Sequence, residues 1–330
     1  MISPTQQFSN TSQASQAVDL EKQQLISLIR AVEQARGGNR LIVYWLNDLA
    51  RITEAAVPPL YDHLLAIGKQ KKLDLFLFTK GGDVEAPWRI VTLMREFCNE
   101  FAVLIPYQAR GAGTLLALGA NQIIMTSMGV LSPIDTSRTH VLLPRKEGAT
   151  ESEPISLQDM RRAMSFVRET AEPSGKMTYS PESMAQLLFD KIHPLAIGAI
   201  EQRFALAKRI GTRCLGTHMT KHDDKYLIAL IVNVLCEDYE SPTYPICRKE
   251  ARDIGLKVVS APPNVDRAMM DLLKFYMARD INLPKTGVQD QRLKLSTAWL
   301  DSVEKQMRVE QNTLVEKDER LRLGDRWIEY

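Results

Sequence analysis

Two glycine-bearing stretches hold the residues best placed for chemistry: Thr79-Lys80-Gly81-Gly82-Asp83 and Ala109-Arg110-Gly111-Ala112-Gly113-Thr114. A Gly-Gly turn has no β-carbon in the way, so its backbone N–H groups can approach a ligand closely. The start of a helix at Ala112 to Thr114 would add unpaired N–H groups and the positive end of a helix dipole. Two such donors aimed at one carbonyl oxygen make an oxyanion hole, here assigned to Gly81, Gly82 and Ala112. The same glycines also suit tight turns that need them for geometry alone. Neither stretch is a phosphate loop, since the chain has no GxxxxGK[ST] and no GxGxxG after a strand.

The side chains around these loops offer few reactive groups. Thr114 lies about one helical turn beyond Gly111 and is the alternative nucleophile, although a β-branched hydroxyl is stiff and needs its own base. Ser127 and Ser132 have no base nearby in sequence, and Lys80 reads as a solvated lysine unless burial lowers its pKa. Asp83 reads as the N-cap of the helix that follows it, and Asp135 as a turn residue. Both, with His140 in the loop beyond Asp135, are candidate accessory groups of the site. His218 and His222 share the i, i+4 spacing of a metal pair but lack HExxH and a third ligand, so they read as surface residues. His63 falls on a polar helix face, and His193, just before Pro194, sets a kink or cap. No metal and no cofactor is expected.

The elements that carry these loops follow from apolar patterning. Leu41 to Leu46, Leu73 to Phe78, Phe101 to Ile105 and Gln122 to Met125 are short continuous apolar runs, as expected of strands covered on both faces. Helices at Val57 to Ile67, after Pro87, and at Thr114 to Gly119 connect them. Strand, crossover helix, strand, three times over, predicts a parallel sheet with helices on its faces. The ligand site of such a sheet lies beyond the carboxyl ends of its strands, where both glycine loops fall. Beyond Ser156 the chain reads as mainly helical, with a short strand at Lys257 to Val259.

The balance of 42 Lys+Arg against 40 Asp+Glu gives no bulk attraction to nucleic acid or membrane. No run of about 18 apolar residues is present, so no transmembrane helix is expected. The four cysteines share no CxxC spacing, which argues against a zinc ribbon and suits a reducing, cytoplasmic compartment.

The order of several segments carries a resemblance. Val57-Pro58-Pro59, Asp74 to Asp83, Ala109 to Ala120, Ser132 to Asp135, His193 to Gly198, Tyr244 to Ile246 and Glu250 to Leu256 together resemble the serine dehydrogenase proteinase family. That family belongs to the Clp/crotonase fold, with signal peptide peptidase A and the Clp proteolytic subunit as relatives. The resemblance covers roughly residues 20–277. It implies an α/β spiral of ββα units with a parallel sheet and a helical C-terminal part, assembly into homo-oligomers, and a peptidase-type site.

The family pattern is similar to Ala-Lys-Ser-Ala-Gly-Thr, with the serine as presumed nucleophile. Here Gly111 stands at that position, and glycine cannot form an acyl-enzyme. A Thr-His-Asp-Tyr-Pro-Ile-like segment is also replaced, by Ser241-Pro242-Thr243-Tyr244-Pro245-Ile246. The resulting expectation is a catalytically degenerate, oligomeric binding or regulatory protein for a peptide or protein ligand. The alternatives are an active peptidase with another nucleophile such as Thr114, and a serine-to-glycine mutant of an active enzyme. A crotonase-like enolate chemistry using only the paired N–H groups ranks last, because no CoA-pocket signature is present.

The expected organisation is a disordered lead-in at 1–16, a Clp/crotonase-like domain at 17–280, and a charged amphipathic helix at 281–330. The apolar residues Leu293, Leu295, Trp299, Leu300, Val303 and Met307 would form the stripe of that last helix.

Overall fold

The structure, a computed structural model, describes residues 4–137, 139–145, 152–171, 186, 188–280, 291–316 and 319–330. Its frame is an eight-stranded sheet. Four strands run parallel at its centre: β1 (Arg40–Leu46), β2 (Gln70–Phe78), β3 (Cys98–Ile105) and β5 (Gln122–Met125). β8 (Val258–Ser260) adds to β5, also in parallel. The crossovers are α2 (Val57–Ile67), α3 (Ala86–Phe97) and α4 (Ala112–Leu118). A three-stranded sheet of β4 (Gln108–Ala109), β6 (Val130–Leu131) and β7 (Ile246–Cys247) sits at the carboxyl ends of the central strands.

The apolar runs are explained by burial on both faces. Alternate residues of one strand enter different cores, as strand geometry requires. Ile42, Tyr44, Leu75, Leu77 and Val103 face α2, α3, α4 and the helices α6 (Pro194–Gly216) and α7 (Asp224–Asn233). Leu41, Val43, Trp45, Phe76 and Phe78 face α1 (Pro4–Ala35) and α9 (Pro263–Asp280). Further helices are α5 (Leu157–Ala171) and α8 (Arg248–Asp253).

Three expectations are corrected. The lead-in at 1–16 is not disordered from Pro4 onward: it belongs to α1, since residues 5–35 contain neither glycine nor proline to stop a helix nucleated by the packed Leu25, Ile29 and Val32. The charged amphipathic helix at 281–330 is absent from its described residues, which form β9 (Gln291–Asp301), β10 (Gln306–Glu316) and β11 (Glu319–Glu329). These antiparallel strands extend the sheet beyond β1 through Val43–Asp301 and Leu46–Ala298 pairing. The β1 edge needs a hydrogen-bonding partner, and only an extended segment supplies one. His63, expected on a polar face, is fully buried, because that face of α2 is covered by the β9–β10 hairpin.

Candidate functional site

The site forms where three strand ends lie side by side. Thr79 N–H donates to Gln108 O (3.1 Å) and Arg110 N–H to Thr79 O (3.1 Å), which joins the end of β2 to β4. Ile52 N–H donates to Gly81 O (2.9 Å) and Asp83 N–H to Ile52 O (2.8 Å), which clamps the Gly-Gly turn from the other side. Gly82 is required here for space. A β-carbon at that position would lie 2.2 Å from Ile52 O and 2.4 Å from Ile52 N.

The two glycine loops meet. A β-carbon on Gly81 would lie 3.3 Å from Arg110 O and 3.7 Å from Ala112 N, and one on Gly111 would lie 3.7 Å from Gly81 Cα. Gly111 itself has φ 52° and ψ −109°, a conformation that L side chains adopt only under strain. A β-carbon there would meet its neighbours at ordinary contact distance, the nearest side-chain atom being Asp135 Cβ at 3.7 Å. Ala112 opens α4, where the first N–H groups have no intrahelical acceptor. Neither Gly82 N–H nor Ala112 N–H takes part in the backbone bonds that hold these loops.

The hydroxyls nearby are committed to structure. Ser132 is fully buried; its Oγ accepts from Gly111 N–H (2.9 Å) and donates to Pro133 O (2.9 Å). Thr114 is fully buried as well. Its Oγ1 lies 2.7 Å from Ser132 O and 3.1 Å from Ala109 O, both acceptors, and it accepts from Ser132 N–H (3.3 Å). These bonds tie the start of α4 to the 132–135 loop and thereby hold position 111 against Asp135.

Asp83 and Asp135 are both brought to the site, in different ways. Asp135 is exposed beside Gly111, and its Oδ1 accepts from Ser137 N–H (2.8 Å), the turn role expected of it. Asp83 does not cap α3: the residue before that helix is Glu85. Burial, reinforced by Glu85, raises the Asp83 carboxyl above its usual range, while Arg203 of α6 pulls it the other way. Sequence gave no signal for Arg203, which lies 120 positions from Asp83 in sequence and has a buried Nε with no partner among the described residues.

No histidine is bonded into the cleft among the described residues. His140 Nδ1 accepts from Leu142 N–H (3.2 Å), a bond local to its loop. His193 caps α6 by accepting from Leu195 N–H. His218 Nε2 lies 3.0 Å from Leu118 O, and His222 is exposed beside Asp223. No group of three or more His, Cys, Asp or Glu suited to a metal occurs among the described residues. Lys80 turns to the opposite face and pairs with Asp48 at 2.7 Å. Burial pushes the Cys98 thiol up to about 11 and those of Cys214 and Cys236 up to about 12, so these thiols stay protonated. No helix among the described residues is long and apolar enough to cross a membrane.

Residues 62–145, which contain both glycine loops, match the family of ClpP-like SDH-type serine proteinases. An uncharacterized protein of Methanocaldococcus jannaschii is 24% identical over 209 residues, 63% of this chain and 61% of that protein. A second uncharacterized protein of the same organism is 36% identical over 63 residues, 19% of this chain and 22% of its own length. The match thus spans less than two thirds of either relative. Among solved structures, a ClpP1 mutant from Listeria monocytogenes is similar over 71% of this chain and 98% of its own, with 13% identity and a TM-score of 0.37. A mutant of the 1510-N membrane-bound stomatin-specific protease covers 43% of this chain and 73% of its own, with 19% identity and a TM-score of 0.25.

Proposed function

We propose that this chain, a member of the ClpP-like SDH-type serine proteinase family through its residues 62–145, is a catalytically degenerate relative that binds a peptide or protein ligand in the cleft at Gly111. One observation carries this reading. The position whose β-carbon would face Gly81 and Asp135 carries no reactive atom, and an acyl-enzyme needs one. The neighbouring hydroxyls of Thr114 and Ser132 are buried and bonded to backbone, so neither supplies a replacement. What remains is a pair of backbone donors, Gly82 N–H and Ala112 N–H, suited to hold the carbonyl of a bound chain rather than to cleave it. A binding or regulatory role in a homo-oligomer follows. The edge of β11, an 11-residue strand, supports self-assembly, because among the described residues one row of its backbone groups has no neighbouring strand. The four cysteines are free thiols, which fits a cytoplasmic setting.

Incubation with a fluorophosphonate probe followed by intact-mass analysis tests the reading. The expected result is an unmodified chain, and a stoichiometric adduct overturns it. One observation favours a second reading, a peptidase whose serine has been exchanged for glycine: the space beside Gly111 admits a side chain without a clash. Gly111→Ser separates the two. Absence of cleavage of a fluorogenic peptide supports degeneracy, since no imidazole is bonded into the cleft; appearance of cleavage supports the second reading. Light scattering tests the assembly, with a strict monomer as the contrary result.

A further inference from the structure

On the opposite face of the same two loops, a cavity of about 810 Å³ opens at the carboxyl ends of β1 and β2. That volume and that position suit a small-molecule site in a parallel sheet. Strand alternation separates it from the cleft. Thr79 and Gly81 belong to the cleft, and Lys80 to the cavity; likewise Ala109 and Gly111 against Gln108 and Arg110.

One wall is aromatic. Trp45 and Phe78 stack at 3.9 Å with planes 10° apart, and Phe78 and Tyr107 follow at 6.2 Å and 12°. Trp45 and Phe78 are buried, whereas Tyr107 is 40% exposed and leaves ring surface for a ligand. The charged groups are unevenly matched. Lys80 and Asp48 neutralise each other. Arg51 donates to the carbonyls of Asp48 (3.0 Å) and Ala50 (2.8 Å), and Arg110 to Gln108 Oε1 (3.0 Å) and Thr243 O (3.0 Å). Neither guanidinium has a carboxylate partner among the described residues, although each is built for one. Asp280 contributes the complementary need. Its Oδ2 accepts from Trp45 Nε1 (3.0 Å), while its buried Oδ1 makes no close hydrogen bond among the described residues and has the Asn47 amide as its neighbour.

We infer that this cavity binds a small molecule joining a flat aromatic ring with an N–H donor to one acidic group. The ring lies against Tyr107, its N–H satisfies Asp280, and its acidic group meets Arg51 and Arg110. The partly satisfied buried carboxylate gains a donor from such a ligand, and the two guanidinia, still open to water, offer its acidic group charge-assisted hydrogen bonds. Two sources share the chemistry: amino-purine mononucleotides and indole carboxylic acids. Lys80 and Arg110 directly precede Gly81 and Gly111, so occupancy bears on the backbone that forms the cleft.

Isothermal titration of the full chain with AMP and with indole-3-acetate identifies the source. Adenosine and ribose 5-phosphate serve as the pieces lacking the charge and lacking the ring. The expected result is saturable one-site binding of one aromatic anion below about 1 mM, with the corresponding pieces at least about tenfold weaker. Arg51→Ala and Tyr107→Ala change exposed side chains, so each is expected to keep the thermal melt and to weaken binding at least about tenfold. Three results overturn the inference: no saturable binding of either aromatic anion, binding of ribose 5-phosphate as tight as that of AMP, or affinities unchanged in both variants.

Discussion

The cleft contains two glycines that glycine-specific physics treats differently. At position 82 the obstacle is backbone: a β-carbon would overlap Ile52 N and O, atoms held by the Ile52–Gly81 and Asp83–Ile52 hydrogen bonds. Gly82→Ala must therefore displace a strand end, and we expect a loss on the order of 3 kcal/mol in urea unfolding. At position 111 the space is free and only the positive φ is unfavourable, so Gly111→Ala should lose about 1 kcal/mol. Equal losses at the two positions would contradict the geometry. Thr114→Val tests the third member of the group. It keeps the shape but leaves Ser132 N–H without its buried acceptor, with an expected loss of about 1–3 kcal/mol by the same assay and no change in fluorophosphonate labelling. The meeting of Gly81 with Gly111 was legible in the sequence, because both follow strands and parallel sheets gather such ends on one side. The Ser132–Gly111 bond and the Arg203–Asp83 proximity were not, since neither arises from local spacing.

At the scale of elements, the C-terminal hairpin is fastened to α2 by a buried imidazole. His63 Nδ1 lies 3.0 Å from Ser302 Oγ, and burial, helped by Lys305, lowers its pKa from 6.5 to about 4, against Leu300 backbone bonding and the carboxylates Asp62 and Glu329. The sign follows from linkage. Below pH 6.5 the unfolded chain takes up a proton that the folded chain refuses until about pH 4, so this contribution is complete above 6.5 and is lost as pH falls through that window. Its full size is on the order of 3 kcal/mol. Asp301 works in the opposite sense: burial raises its carboxyl to about 6 despite bonds from Tyr276 and Tyr330, so acidification relieves a charged group there. The His63 part is therefore read from the difference between the wild type and His63→Gln, in urea unfolding from pH 4 to 7. We expect the stability gap to narrow, or to reverse, toward pH 4; a gap independent of pH would mean that the imidazole titrates in the fold as it does in the unfolded chain. None of this was visible in sequence, where β9–β11 imitate a helix. Arg292, Lys294 and Ser296 alternate with Leu293, Leu295 and Thr297 at period 2, but Trp299, Leu300, Val303 and Met307 also fit a helical stripe. The central strands were legible because their apolar runs are too short for a helix and are bounded by glycine-bearing turns.

For the molecule as a whole, the hairpin decides whether the fold is one cooperative unit or a domain with an appendage. Only Ala298 to Asp301 of β9 pair with β1, yet these few residues reach both cores: Ala298 and Leu300 pack on the α2 side, and Trp299 on the α1–α9 side. Asp301 is fully buried and accepts from Tyr276 of α9 and from Tyr330 (3.0 Å), whose hydroxyl also accepts from Arg279 (2.9 Å). Arg279 in turn pairs with Glu21 of α1. One buried carboxylate thus links the last strand, the last helix and the first helix, so the hairpin cannot leave without breaking that hydrogen-bond network and uncovering the β1 edge. Local opening of β9 should then cost nearly as much free energy as global unfolding. Native-state hydrogen exchange checks this, with amides of Ala298 to Leu300 expected to show the same protection as those of Val43 to Leu46. Exchange of the β9 amides well before those of β1 would instead make the hairpin a separate unit. Asp301→Asn should bring the two sets apart by weakening the link while leaving the β1–β2–β3 ladder intact.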